Sequence, residues 1–220
     1  ENKNQTILVT SFISGEGKSF TAINLANSLA ATQAKVLLID IDLRKPKVDE
    51  YLKINSSKGL TDFLVKNTPI EEIIIHHSGE TNFDVITAGP VPPNPTELLM
   101  RDKMNTLFEY TKAQYDYIVI DSSPVGLVAD SFVTNHFADV TLFILRYEYS
   151  FLNTIEYIEK MRVENKLVNI SIIMNGIKES SRLHYEGYGY GYGYHFGTGY
   201  YHDDQKPRSF WQRWLFGNRH

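Results

Sequence analysis

With 220 residues the chain is long enough for one α/β core, with or without a tail, and its 42% hydrophobic and 22% charged content are ordinary for a globular domain. It has no cysteine, which excludes disulfides and fits a reducing cytoplasm; no apolar run approaches the roughly 20 residues that span a bilayer, and nothing at the N-terminus resembles a signal peptide. The formal charge of −4 is uneven: residues 182–220 hold five Lys/Arg against three Asp/Glu, leaving −6 on the rest, and a mildly acidic body argues against nucleic acid as the main partner.

The first apolar segment, residues 6–10, reads as a strand. It is followed by Ser-Phe-Ile-Ser-Gly-Glu-Gly-Lys-Ser, residues 11–19, and then by a helical pattern over 19–32 in which Ile23, Leu25, Ala26, Leu29 and Ala30 cluster on one side. A glycine turn between a strand and a helix is where a phosphate-binding loop belongs: backbone N–H groups and the positive end of the helix form a concave site for phosphate oxygens. Residues 14–20 (Ser14, Gly15, Glu16, Gly17, Lys18, Ser19 and Phe20) are the candidate nucleotide contacts. Lys18 would reach the β- and γ-phosphates, and the Ser19 hydroxyl would join the shell of Mg²⁺. The usual pattern begins with glycine five places before Gly17, where Phe12 stands instead.

Val36–Asp40 is a second, continuously apolar strand, as in a parallel sheet buried on both faces. It ends in Asp40-Ile41-Asp42-Leu43-Arg44-Lys45-Pro46, which projects two aspartates on one side toward the phosphates. Short helices are expected at Leu60–Val65 and 70–75, and a strand at 84–87. Four prolines in residues 89–95 forbid helix or central strand, so this is a shaped loop, with Asn94 or Thr96 capping a helix that runs to about Thr111. Strand Tyr117–Asp121, helix 130–138, strand Val140–Arg146, helix 151–165 and strand 170–174 complete the domain. The alternation implies right-handed βαβ units and a doubly wound, mostly parallel α/β sheet of the P-loop NTPase type, with ligands at the carboxyl ends of the strands. Asp121 then falls where P-loop enzymes hold Mg²⁺, and Asn175, at the end of the last strand, could donate to and accept from a purine ring or form a plain turn.

Gly-Glu-Gly-Lys-Ser, the segment from Ile39 to Pro46, Gly-Pro-Val-Pro-Pro-Asn-Pro-Thr-Glu-Leu-Leu at 89–99 and Ile-Val-Ile-Asp-Ser-Ser-Pro together resemble the bacterial tyrosine kinases of capsule and exopolysaccharide synthesis, over about residues 5–180. The resemblance implies ATP and Mg²⁺ as cofactors, with Walker A at 11–19, Walker A′ at Asp40 and Asp42, and Walker B at Asp121. It implies a metal shell of Ser19, Asp42 and Asp121 and catalysis by Lys18, Asp40 and Asp42, with Asp40 accepting the tyrosine proton; the sequence does not separate Asp40 from Asp42 in that role. Family members commonly lack the first Walker A glycine. Two departures are Ser14, where many have proline, and Asp-Ser-Ser-Pro in place of Asp-Thr-Pro-Pro.

Beyond the kinase domain at 1–180, residues 181–205 form a Tyr/Gly-rich tail and 206–220 a basic aromatic segment. Tyr185, Tyr188, Tyr190, Tyr192, Tyr194, Tyr200 and Tyr201 are seven of the 14 tyrosines, interleaved with glycine that leaves no continuous apolar face to bury. The resemblance implies that this tail is phosphorylated, in the chain's own active site or a neighbour's. Phe210, Trp211, Trp214 and Leu215 would share one helix face, which suits a membrane interface or packing on protein equally.

As partners the resemblance implies a membrane-spanning polysaccharide co-polymerase domain, fused upstream or separate, an opposing protein-tyrosine phosphatase, and a homo-oligomer at the inner face of the plasma membrane. A start at Glu1, a few residues before the first strand, fits a cytoplasmic piece of a fused form; the Glu/Arg ring-assembly motif that members carry upstream is absent from these residues. Two rival readings are a nucleotide-switched ATPase of the partitioning or division-site type and an ATP-bound scaffold for polysaccharide machinery. The first carries a second lysine five places before the loop lysine, where this chain has Ile13.

Overall fold

In the computed structural model, residues 4–66, 68–76 and 83–177 are described. The tyrosines at 185–201 and the segment 206–220 lie outside these residues. The core is a seven-stranded sheet in the order β3-β4-β2-β5-β1-β6-β7, from β1 (Gln5–Ser11), β2 (Val36–Asp40), β3 (Ile75–His76), β4 (Phe83–Ile86), β5 (Tyr117–Asp121), β6 (Val140–Arg146) and β7 (Ile170–Asn175). Every neighbouring pair is parallel except β3 with β4. The doubly wound α/β reading therefore holds: β1 lies between β5 and β6, with β2 and β4 added on one side of it and β6 and β7 on the other.

Period-two alternation divides the core into two faces. Leu8, Leu37, Ile39, Ile118, Ile120 and Phe143 point to one side, and Ile7, Val9, Val36, Leu38, Val119 and Ile144 to the other. On the second face lies α1 (Lys18–Ala30), which buries Ala22, Ala26 and Ala30 at four-residue spacing. The alanines let the helix lie close to the sheet, while the larger Ile23, Leu25 and Leu29 flank the contact half-buried.

Several expected elements differ in extent. The helix expected to run to about Thr111 is two helices, α4 (Pro95–Leu99) and α5 (Lys103–Lys112). At the break Arg101 donates to Leu64 O at 2.9 Å and Lys103 to Phe63 O and Lys66 O at 3.0 Å, so two cations satisfy carbonyls at the end of α3 (Leu60–Val65). At 70–75 there is a single 3-10 turn, Ile70–Glu72, before β3, consistent with the reluctance of consecutive β-branched isoleucines to stay helical. A short α2 (Val48–Leu52) follows Pro46 and was not anticipated. The helix at 130–138 is α6 (Asp130–Thr134) plus a 3-10 turn, and α7 covers Thr154–Val163, leaving Phe151 and Leu152 exposed before it.

Phe12 has its reason in packing. Its ring meets Tyr157 edge-on at 4.8 Å between centroids, and its carbonyl accepts the Gly126 N–H at 3.0 Å. A Cβ on Gly126 would stand 2.5 Å from Phe12 O and 2.8 Å from its ring. The first loop position is thus an anchor between β1 and the segment after β5. Gly126→Ala is expected to displace that anchor and cost about 1–3 kcal/mol, lowering the thermal midpoint by about 3–10 °C in a chain of this size; a melt by circular dichroism checks it.

Candidate functional site: a phosphate loop over three carboxylates

The loop between β1 and α1 ends at Gly17, whose φ of 97° is open to glycine and strained for other residues, and whose absent Cβ makes room for the Asn175 amide. Glu16 is fully buried. Its carboxylate accepts the Ile13 N–H at 2.8 Å and bonds the Ser150 hydroxyl, so it braces the loop from within. With its side chain spent on the loop itself, the expected nucleotide contact of Glu16 falls to its backbone N–H.

Beneath the loop, strand register sets the carboxylates. Asp40 on β2 lies opposite Asp121 on β5, which in turn lies opposite Val9 on β1. Lys18, first residue of α1, turns its Nζ to Asp42 Oδ2 at 3.1 Å and to Asp121 Oδ1 at 3.2 Å, with Ser19 Oγ also at 3.2 Å. Burial alone would lower the Lys18 pKa, but Asp121, Asp42 and Asp40 outweigh it and the pKa is raised. Asp42 is also penalised by burial, yet Lys18, the Lys45 N–H and the Ser123 hydroxyl overcome this and hold its pKa below the ordinary value. Asp121 has no such surplus: complete burial raises its pKa against the opposing pull of Lys18 and Ser19. Asp40 is pushed well above the carboxylate range by burial and by the charge of Asp121. Its oxygens accept the N–H of Asp42 at 2.9 Å and of Val48 at 3.4 Å.

Three carboxylates thus share one ammonium, and Asp121 Oδ2 is buried without a hydrogen-bond partner. Both facts fit an additional cation beside Ser19, Asp42 and Asp121. A hydroxyl with two carboxylates is a donor set of the kind Mg²⁺ takes, since that ion uses one or two carboxylates and completes its shell with phosphate and water.

A pocket of about 350 Å³ opens above this cluster, and Ser14, Gly15, Gly17, Lys18, Ser19, Phe20, Asp42 and Asn175 line it as the sequence indicated. Asp40 and Asp121 lie behind that wall. Lys45, Lys47, Tyr51 and Arg146 line it as well and were not anticipated. Arg146 ends β6, the strand beside β1, and the strand-end rule that selected Asp121 would have selected it too. A second unanticipated group is Asp130 at the start of α6: it takes Arg44 Nε at 2.8 Å, Thr96 Oγ1 at 2.6 Å and Ser123 Oγ at 3.4 Å. This ties the chain after β2 to the proline loop and to Ser123, which in turn holds Asp42 at 2.9 Å. Nothing in the spacing of these residues reveals that network, because Arg44 and Thr96 stand 86 and 34 positions from Asp130, and Ser123 stands 81 from Asp42.

Comparison with known proteins agrees with this geometry. The model of the AAA domain matches residues 4–170. Tyrosine-protein kinase YwqD of Bacillus subtilis is 36% identical over 185 residues, which are 84% of this chain and 78% of that protein. Tyrosine-protein kinase etk of Escherichia coli K12 is 36% identical over 180 residues, 80% of this chain, and the chain spans only about a quarter (24%) of its length. The solved kinase domain of Escherichia coli ETK superposes with a TM-score of 0.75 at 32% identity, covering 88% of this chain and 74% of that one. With its loop lysine set among the three strand-end aspartates, the chain belongs to the bacterial tyrosine kinases, built on an AAA-type P-loop domain.

Proposed function

We propose that this domain transfers the γ-phosphoryl group of ATP to tyrosine hydroxyls, those of its own 185–201 stretch or a neighbour's included, and so regulates synthesis or export of a surface polysaccharide. The observation that carries the reading is Lys18 held between Asp42 and Asp121 under a glycine loop, with Asp42 on the pocket wall. Family membership and the seven clustered tyrosines support the choice of acceptor.

Catalysis of phosphoryl transfer is positioning plus electrostatics. Loop N–H groups and Lys18 meet the phosphate oxygens and stabilise the charge that develops on them. Mg²⁺, when bound, neutralises phosphate charge, and Ser19, Asp42 and Asp121 are the side chains that would hold it. The acceptor phenol loses its proton as its oxygen bonds to phosphorus and ADP leaves. In this reading Asp42 rather than Asp40 takes that proton: both carboxylates have engaged oxygens, Asp40 with backbone N–H groups and Asp42 with Lys18, Ser123 and the Lys45 N–H, but Asp40 is fully buried whereas Asp42 is on the pocket wall. An ionised Asp42 is a weak base toward a phenol of pKa about 10, so it orients the phenol first and takes the proton late in the transfer. Lys45, Lys47 and Tyr51 line the same pocket, where an acceptor segment would meet them.

In this reading the domain works on the cytoplasmic face of the membrane beside a polysaccharide co-polymerase subunit, with a phosphatase resetting the tyrosines. Among the described residues no helix is long and apolar enough to cross a membrane, so attachment falls to that partner or to other residues. Phosphorylation between copies would make the rate rise with protein concentration.

Incubation with Mg-ATP followed by mass spectrometry is expected to find phosphotyrosine at 185–201. Unmodified protein that still hydrolyses ATP would favour the switch ATPase, and unmodified protein without hydrolysis the scaffold. Asp42→Asn should cut phosphotyrosine formation by about 100-fold or more, the usual worth of a positioned proton acceptor. Asp40→Asn should cost less, because an amide oxygen can still accept the Asp42 N–H; a larger loss in Asp40→Asn than in Asp42→Asn would return the role to Asp40.

A further inference from the structure

Three consecutive carbonyls of the phosphate loop are each held from outside. The Tyr149 hydroxyl donates to Ser14 O at 3.0 Å, Arg146 Nη1 to Gly15 O at 2.8 Å, and Asn175 Nδ2 to Glu16 O at 2.9 Å. The donors come from the end of β6, the turn after it and the end of β7, two strands that pair in register as Arg146 with Asn175. The Arg146 guanidinium lies 5.2 Å from the centroid of the Tyr149 ring, so cation and ring steady each other. The Ser150 hydroxyl accepts the Arg146 N–H at 2.7 Å and bonds Glu16, which closes the strap onto the loop a fourth time.

Peptide geometry gives this arrangement its consequence. In a planar trans peptide the N–H points opposite to the C=O of the same unit. Fixing the carbonyls of residues 14, 15 and 16 toward the strap aims the N–H groups of Gly15, Glu16 and Gly17 the other way. None of those three N–H groups donates to a backbone carbonyl among the described residues. A glycine-containing loop left to itself would lose more conformational entropy on gathering its amides around an anion, and a loop already held avoids much of that cost.

We propose that Arg146 and Tyr149, with Asn175, are positioning residues for the nucleotide: an external clamp that presets the loop amides for the β-phosphate without touching it through their bonds to the loop. This rests on the reading of the loop as the nucleotide site. It also gives Asn175 a role at the loop in addition to any contact with a purine.

The test compares ADP and AMP binding to the full chain by calorimetry in Mg²⁺-containing buffer, for the wild type, Tyr149→Phe and Arg146→Gln. Tyr149→Phe removes only the hydroxyl of a half-exposed ring and should raise the ADP Kd about three- to five-fold, as loss of one neutral hydrogen bond does. Arg146→Gln removes a charged donor and should raise it about ten-fold. AMP, which lacks the β-phosphate, should weaken less than two-fold in both, so the ratio of AMP to ADP Kd falls. A merely structural role would leave that ratio unchanged: equal weakening of both nucleotides, or none, overturns the clamp. Wild-type protein that fails to bind ADP would overturn the nucleotide site itself, a result distinct from a wild type that binds and variants that bind equally well.

Discussion

One buried ammonium organises this molecule. Lys18 is the first residue of α1 and the shared counter-charge of Asp42, after β2, and Asp121, at the end of β5. Burying three carboxylates beside a single ammonium is expensive, because the charges leave water and only part of the attraction is regained. Taking away that ammonium would leave uncompensated buried carboxylates, a loss of about 3–5 kcal/mol, which is a large fraction of the stability of an ordinary domain. The fold tolerates the arrangement because the two-faced apolar sheet holds these strand ends in place. Chemistry, not stability, is the reason for keeping it.

The sheet delivers the groups to one point through simple geometry. Parallel register puts Val9, Asp121 and Asp40 side by side across three strands, and the alanine face of α1 brings its N-terminus down over them. Asp40 then acts as the inner layer. It fixes the Asp42 N–H, and its own charge is suppressed by burial and by Asp121, so that the ionised partner left facing the pocket is Asp42. Asp130 completes the support through Ser123 and Arg44, linking the A′ segment to the proline loop through Thr96.

Much of this was legible in the chain. Apolar runs gave β1, β2, β5 and β6 nearly to the residue, and the acids that end β2 and β5 stood where strand-end chemistry belongs. The break between α4 and α5 was hidden because its partners are tertiary: the side chains of Arg101 and Lys103 reach carbonyls of α3, some 37 to 40 positions away. Phe12 looked anomalous beside a glycine pattern until Gly126 supplied the space for it. The order of Asp40 and Asp42 was hidden for a similar reason. Two residues apart on an extended strand share a side, but the chain leaves β2 at Asp40 and turns, so the second acid moves to the wall and the first stays behind.

Ile13 stands where a switch ATPase presents a second lysine, and it is the side chain, not the backbone, that separates the two readings. Its N–H is bound to Glu16, and Glu16 is bound to Ser150, so the position at which switch ATPases present a second lysine is here part of the internal bracing of the loop. Positive charge around the pocket comes instead from Lys45, Lys47 and Arg146. Arg146 is engaged with Gly15 O and Lys47 is paired with Glu50, so much of that charge is already spent within the protein. If the tyrosine segment is the acceptor, as proposed, a segment that gains about −1.5 to −2 charge with each phosphate would meet Lys45 on the pocket wall more strongly after transfer than before.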